Sequence, residues 1–471
     1  MNDLFTDFKS IRNILVELNL WDLLDKLYKI KNNKRRNIVP EVIEFLYLNT
    51  LVYSPEYRNI KASNDEKKWN KAILLSINFH DKINAAWIDQ KGPWIYLQKG
   101  ALNQLKSGSV DYFRQLYRYY YIFSKDNIVK HVETKIDMSY KDFINCAMWL
   151  HSVFKMKSYC VEKSYFLQLN DAPLSDENIT KVLNILSIQL KELKSTLKTE
   201  IKYDLDTFIT HDYIHLKKTI FESNEKLYCL YPEQLLNQFT SGVYYLAEIF
   251  DNKHNLANEF GTAFEDYVGL ILEKNKQPNK FKIQKEILYN ISTEQLKTSD
   301  WIINADNAII FIECKTKRLT IRSKKVEEVQ HSDKIEIAKA VFQIYKVYLN
   351  YSKNLIPNLE FDSKKKLIPI ILTLEEWYAG APDFNEDITR LVKGLFIENK
   401  LDVSIVDVFK FHINSVSSFE KDVQIMTKFG FKEFYEGNIA EMKENFKYES
   451  YFKDEIYQLF IEPLENKKTT P

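Results

Sequence analysis

The stretch TSDWIINADNAIIFIECKTKR, residues 298–318, places two apolar runs on either side of Asp306-Asn307. Asp and Asn both tolerate positive φ, so this pair predicts a two-residue hairpin loop. With that loop Ala305 pairs with Ala308, and each outward step keeps the register. Ile303 then faces Ile310, Trp301 faces Ile312, and Asp300 sits opposite Glu313. Directly opposed residues hold their Cβ atoms about 4.5–5.5 Å apart, so register alone predicts two adjacent carboxylates. Two acids so close repel unless positive charge lies between them, and a divalent cation is the usual answer. Strand alternation sets Lys315 on the face of Glu313 and turns Cys314 to the other, packed side.

Working outward, a helix is expected from about Asn255 to Asn275, followed by strands at Phe281–Tyr289, Asp300–Ile303, Ala308–Lys315, Leu367–Leu374 and Val403–Ile413. Helical patterns lie between the later strands, at Asp333–Tyr351 and Asp387–Asn399. This order predicts an α/β domain on a mixed central sheet. Upstream, residues 1 to about 225 read as helical throughout, with amphipathic runs at Leu4–Tyr28, Pro40–Tyr53, Asp65–Asp89, Val110–Ser124 and Tyr140–Lys157. A further run begins at an N-cap, Ser175, and extends to about Thr199. The expected organisation is therefore an α-helical region over 1–240, an α/β domain over 250–415 and a helical C-terminal extension over 416–471.

Two carboxylates and an ammonium on one sheet face suit phosphodiester hydrolysis. Carboxylate oxygens hold Mg²⁺ or Mn²⁺, such a cation acidifies water and neutralises phosphate charge, and a nearby lysine adds electrostatic stabilisation. Here the sequence resembles the PD-(D/E)XK phosphodiesterases, which include many restriction and repair nucleases. Asp300 matches the first acid of their signature, Glu313 the second and Lys315 the lysine, while Ser299 stands where the signature has proline. The resemblance implies a restriction-endonuclease-like α/β fold. It also implies that the main-chain carbonyl of Cys314 is a further metal ligand. The segment GTAFEDYVGLIL, residues 261–272, resembles the helix that precedes the sheet in that superfamily, with Glu265 in the matching place. In that helix Leu256, Phe260, Ala263, Phe264, Tyr267, Val268 and Ile271 form one apolar stripe, with Glu265 at its border.

Downstream, Lys317, Arg318, Arg322, Lys324 and Lys325 form a basic cluster suited to phosphate contacts. Gln343, four residues after Lys339 on the next helix, is expected near the same site.

The remaining composition excludes more than it identifies. The formal net charge of +1 rules out coating of nucleic acid by global charge, so any such site is a local patch. With 10 glycines and neither GxxxxGK[ST] nor GxGxxG, no P-loop or dinucleotide fold is supported. The 4 cysteines form no CxxC pair, which argues against a zinc site or disulfide framework. Nothing at the N-terminus reads as a signal peptide or membrane span, so a cytoplasmic location without membrane association is expected. His211 and His215 have helical metal-pair spacing but lack a third ligand. The tyrosine run at 117–121 is read as packing, and KNNKRR at 31–36 as a solvated connector. Together these features predict a metal-dependent nuclease acting on nucleic acid, with DNA the expected substrate and RNA open. The same fold used for binding without cleavage is the alternative. By analogy with nucleases fused to large unfamiliar regions, the chain is expected to act in bacterial anti-phage defence, with a homo-oligomer or a defence-system protein as partner.

Overall fold

A computed structural model describes residues 2–33, 38–57, 66–91, 112–167, 174–201, 218–249, 256–277, 280–318, 331–377, 382–444 and 446–462. The chain starts with helices α1 (Asn2–Leu15), α2 (Leu20–Asn32), α3 (Pro40–Tyr53) and α4 (Glu66–Lys91). The single run expected over Leu4–Tyr28 is two helices, because Asn19 caps the second: its Oδ1 accepts the N–H of Trp21 at 3.0 Å and of Asp22 at 3.3 Å. Next come α5 (Tyr112–Phe123), α6 (Asp126–Ile136) and α7 (Tyr140–Met156). From here the helical expectation needs correction. Strand β1 (Cys160–Glu162), helix α8 (Asp176–Leu186), strand β2 (Ser187–Gln189), helix α9 (Leu190–Glu200), and strands β3 (Ile220–Ser223) and β4 (Lys226–Tyr228) follow. These strands form a small sheet in the order β1-β4-β3-β2. Each is only 3 or 4 residues long, too short for alternation to register in sequence. Ser175 does cap α8, its Oγ accepting the Asn178 N–H at 3.1 Å.

After α10 (Pro232–Phe239) and α11 (Leu256–Lys274), the stretch at 298–318 sits at the centre of a five-stranded sheet. Strand β5 (Phe281–Lys285) leads into a separate ribbon of β6 (Leu288–Ile291) and β7 (Glu294–Lys297). Then come β8 (Trp301–Ala305), β9 (Ala308–Lys315), helix α12 (His331–Ser352), β10 (Lys366–Thr373), helix α13 (Pro382–Glu398) and β11 (His412–Ser415). The order is β11-β10-β9-β8-β5, with β5, β8 and β9 antiparallel and β9, β10 and β11 parallel. The sheet is mixed, as expected. Central strand β9 is buried at every residue before Lys315, which is why it reads as a continuous apolar run.

Two strand expectations change. Phe281–Tyr289 is divided between β5 and β6. Val403–Ile413 contains a short helix, Ser404–Val408, before β11. Asp402 starts that turn, with its carboxylate accepting the Ser404 N–H at 2.9 Å and its hydroxyl at 2.8 Å. This local side-chain turn outweighs the β-branched run.

One face of the large sheet packs on α12 and α13. The opposite face packs on α11, on α14 (Val416–Phe429), and on residues from as far upstream as Leu116 and as far downstream as Phe460. The core is therefore continuous across residues 240–250 and 415. A second core joins α1–α4 to Ile188, Phe221 and Tyr228, so the small sheet lies between the two. At the junction of α5, α11 and α14, Arg118 forks onto Glu420, Nε to Oε1 at 2.8 Å and Nη2 to Oε2 at 2.7 Å. The Tyr267 hydroxyl donates to the same carboxylate at 2.8 Å. Tyr117 stacks on Phe452 at 4.1 Å, in keeping with the packing reading of the tyrosine run.

Candidate functional site

The β8–β9 ladder has the register expected from the turn, with Ile303 opposite Ile310 and Trp301 opposite Ile312. Asp300 is the residue just before β8. Its Oδ2 accepts the Cys314 N–H at 2.7 Å, which fixes the carboxylate against the end of β9. Lys315, Thr373 and Ser415 align across the parallel strands, so the acids lie at the C-terminal rim of that part of the sheet. Asp300 is 5% and Glu313 2% exposed, whereas the Lys315 side chain retains 31% exposure. The acids are thus held inside, and the lysine side chain lies between them and the surface. Lys315 Nζ donates to Glu313 Oε1 at 2.8 Å, and Gln343 Nε2 from α12 donates to Oε2 at 3.2 Å.

Burial is the main cause of the site's unusual acidity. It pushes Glu313 up to about 7, the charge of Asp300 adds to this, and Lys315 opposes it. Asp300 is also raised by burial, with the Cys314 N–H, Lys315 and Lys297 pulling it back. For Lys315 burial acts downward, but Glu313 more than compensates and the group is raised. Burial pushes the Cys314 thiol well up, and its side chain is packed as expected.

Glu265 approaches from α11, the helix on the other face of the sheet. Burial and then Asp300 push it up to about 7. Every residue of the predicted α11 stripe is buried. Trp301 sets how closely this helix sits: its Nε1–H donates to the Glu265 carbonyl at 3.0 Å, and its ring covers Gly269. A Cβ at Gly269 would lie 2.2 Å from Trp301 Cζ2, too close for any side chain. Gly269→Ala is therefore expected to destabilise the chain by about 1–3 kcal/mol through overpacking. It should also shift the indole next to Asp300. Thermal unfolding checks the first effect, and an unchanged melting temperature would show that α11 accommodates the methyl.

Sequence reasoning missed Lys297 and Glu286. Lys297 Nζ lies 2.7 Å from Glu286 Oε2, and Lys297 lowers the pKa of both Asp300 and Glu313. Of the basic cluster, Lys317 stays partly open, 3.7 Å from Asp333 Oδ1. Arg318 requires correction. It is 7% exposed, with Nη1 at 3.1 Å from Glu375 Oε1 and donating to the Ser241 carbonyl at 3.2 Å. Its guanidinium lies over the Tyr244 ring at 4.2 Å. Buried and paired in this way, it joins the end of β9 to the upstream chain and does not face a phosphate. Arg322, Lys324, Lys325, His211, His215 and residues 34–36 of the basic connector lie outside the described residues.

Among the described residues no group of three or more His, Cys, Asp or Glu side chains is disposed to hold a metal ion. The donor chemistry at Asp300 and Glu313 nevertheless fits a hard divalent cation. Magnesium sites commonly use one or two carboxylates and complete their shell with water and phosphate. Two buried acids, both raised, are groups that such a cation would relieve. No described helix is long and apolar enough to cross a membrane. In comparison with known proteins, no family model matches the chain and no curated protein matches it.

Proposed function

We propose that the chain is a metal-dependent nuclease that hydrolyses phosphodiester bonds, with DNA as its substrate. The observation that supports this reading most is the meeting of Asp300, Glu313 and Lys315 at one sheet rim, with Lys315 Nζ 2.8 Å from Glu313. Asp300, Glu313 and the main-chain carbonyl of Cys314 would hold Mg²⁺ or Mn²⁺, which supplies positive charge to the scissile phosphate and acidity to a water. Lys315 is placed to orient the attacking water and to stabilise charge that develops on the phosphate. The Gln343 amide keeps Glu313 in one orientation. Glu265, with its pKa pushed up to about 7, exchanges a proton readily at neutral pH, as a general acid or base must.

The test is incubation of the purified full chain with plasmid, linear DNA and RNA, with and without Mg²⁺ or Mn²⁺. Lys315→Ala should lower cleavage by about 10²–10³-fold, the scale of losing one electrostatic stabiliser. The variant should still fold, because Glu313 can take up a proton when its cation partner is removed. Metal-dependent cleavage at the wild-type rate by this variant would sink the assignment of Lys315. Binding without cleavage by the wild type under every condition would favour the alternative, a binding module in which Lys315 and Gln343 simply neutralise and anchor Glu313.

A further inference from the structure

Between the large sheet and the β6–β7 ribbon the two chain segments fall out of step. Lys285 pairs with Trp301 on one side of this junction and Leu288 with Lys297 on the other. Glu286 and Ile287 therefore stand against Thr298, Ser299 and Asp300. The second segment carries the extra residue of a β-bulge, which interrupts the ladder and re-aims the side chains beside it. Here the bulge ends on Asp300.

Two ladder bonds survive across it. The Glu286 N–H donates to the Asp300 carbonyl at 2.9 Å, and the Thr298 N–H to the Ile287 carbonyl at 3.1 Å. The Ile287 N–H goes instead to a side chain, the Thr298 hydroxyl, at 2.9 Å. That hydroxyl in turn donates to the Ser299 carbonyl at 3.1 Å. One oxygen thus ties the opposing segment to the peptide that leads into Asp300. Thr298 and Ser299 are both 0% exposed, so a polar group left unpaired here would be costly. Ser299 closes the far end, its Oγ donating to the Trp301 carbonyl at 3.2 Å. Asp300 leaves this frame with Oδ2 on the Cys314 N–H at 2.7 Å.

We infer that Thr298 is a positioning residue for the candidate site: its hydroxyl closes the bulge and so holds the Asp300 carboxylate where it can share a divalent cation with Glu313. The inference rests on the reading of those two acids as the cation site of a nuclease. Thr298 is placed to act through the main chain of 298–300 and not on the cation itself. Such sites need their ligands held within about 0.5 Å, and the groups behind a ligating carboxylate supply that precision. Valine has the shape of threonine without the hydroxyl, whereas serine keeps the hydroxyl and loses only the methyl. Thr298→Val and Thr298→Ser therefore separate positioning from packing.

The experiment labels the full-length protein with ¹⁵N at cysteine alone, which gives amide signals from 4 residues. The Cys314 signal is assigned from Cys314→Ser. Without metal, its proton should lie downfield because of the short bond to a carboxylate. It should move upfield in Thr298→Val and stay in place in Thr298→Ser. Calorimetric titration with Mn²⁺ should show a dissociation constant raised by about 10-fold or more in Thr298→Val, the scale for groups that orient metal ligands. Thr298→Ser should bind Mn²⁺ as the wild type does. Thr298→Ala gives the same readouts if the valine variant does not fold. Wild-type values of either quantity in the hydroxyl-free variant, whatever its melting temperature, would overturn the inference and leave the nuclease reading in place. Equal displacement in Thr298→Ser would assign the effect to the methyl and overturn it as well. A moved signal and weakened Mn²⁺ binding, in a protein whose wild type cleaves no nucleic acid, would keep the role of Thr298 and remove the nuclease reading.

Discussion

A fragment that begins at residue 250 is expected to be insoluble or molten when produced alone, although it contains every residue of the candidate site. Helix α5 alone contributes Leu116, Tyr119, Ile122 and Phe123 to the core beneath the sheet, all at most 4% exposed. At roughly 1.5–3 kcal/mol for each large buried apolar side chain, their loss costs about 6–12 kcal/mol. That is an upper estimate, but it matches the ~5–15 kcal/mol that stabilises a whole domain. Truncation also removes Arg118 from Glu420, which is 1% exposed. A buried carboxylate without its cation adds several kcal/mol to the loss. Circular dichroism and proteolysis of the fragment against the full chain provide the measurement. A soluble, cooperatively unfolding fragment would show that the sheet supports itself.

The continuity of that core was not legible in the sequence, and the reason is physical. Local periodicity reveals which residues of an element face inward but not which distant element covers them. The α11 stripe was read correctly because i, i+3 and i+4 spacing is a local signal. The register of Trp301 with Ile312 was equally legible, since the Asp306-Asn307 turn sets it within a few residues. Arg118 and Glu420 are separated by 302 positions, and nothing near either marks it as buried. Arg318 misled for the opposite reason. Its neighbours are basic, so composition suggested a phosphate surface, whereas Glu375 and Tyr244 draw it inside. The outer ribbon was hidden in a run of strand-forming residues at 281–289, where the chain leaves the large sheet at Glu286 without a glycine or proline to signal it.

Replacement of Glu313 by Gln is expected to abolish metal-dependent cleavage and, in the metal-free protein, to raise stability above neutral pH. The sign follows from the direction of the shift. In the unfolded chain a glutamate loses its proton near its ordinary value of about 4.5, whereas in the folded chain burial pushes Glu313 up to about 7. Between these values the folded state holds a proton that the unfolded state has released. The stability contributed by the protonated carboxyl is therefore fully present below about 4.5 and is lost as pH rises through about 7. Gln cannot ionise and carries no such loss. Lys315, with 31% side-chain exposure, loses the partner that compensates its burial, which offsets part of this gain. The melting temperatures of wild type and Glu313→Gln should therefore converge near pH 4.5–5 and separate above pH 7. The variant should then be more stable by on the order of 1–3 kcal/mol. Saturating Mg²⁺ or Mn²⁺ should stabilise the wild type by binding to the folded state, and should leave the variant, which lacks one of the two carboxylates, nearly unmoved. This pairing of lost function with gained stability is characteristic of a charge held in place for chemistry. If Glu313→Gln instead melts lower than the wild type at pH 8 without metal, the ion pair with Lys315 is a net stabilising element of the fold. If added metal leaves both proteins unchanged, Asp300 and Glu313 do not form a cation site.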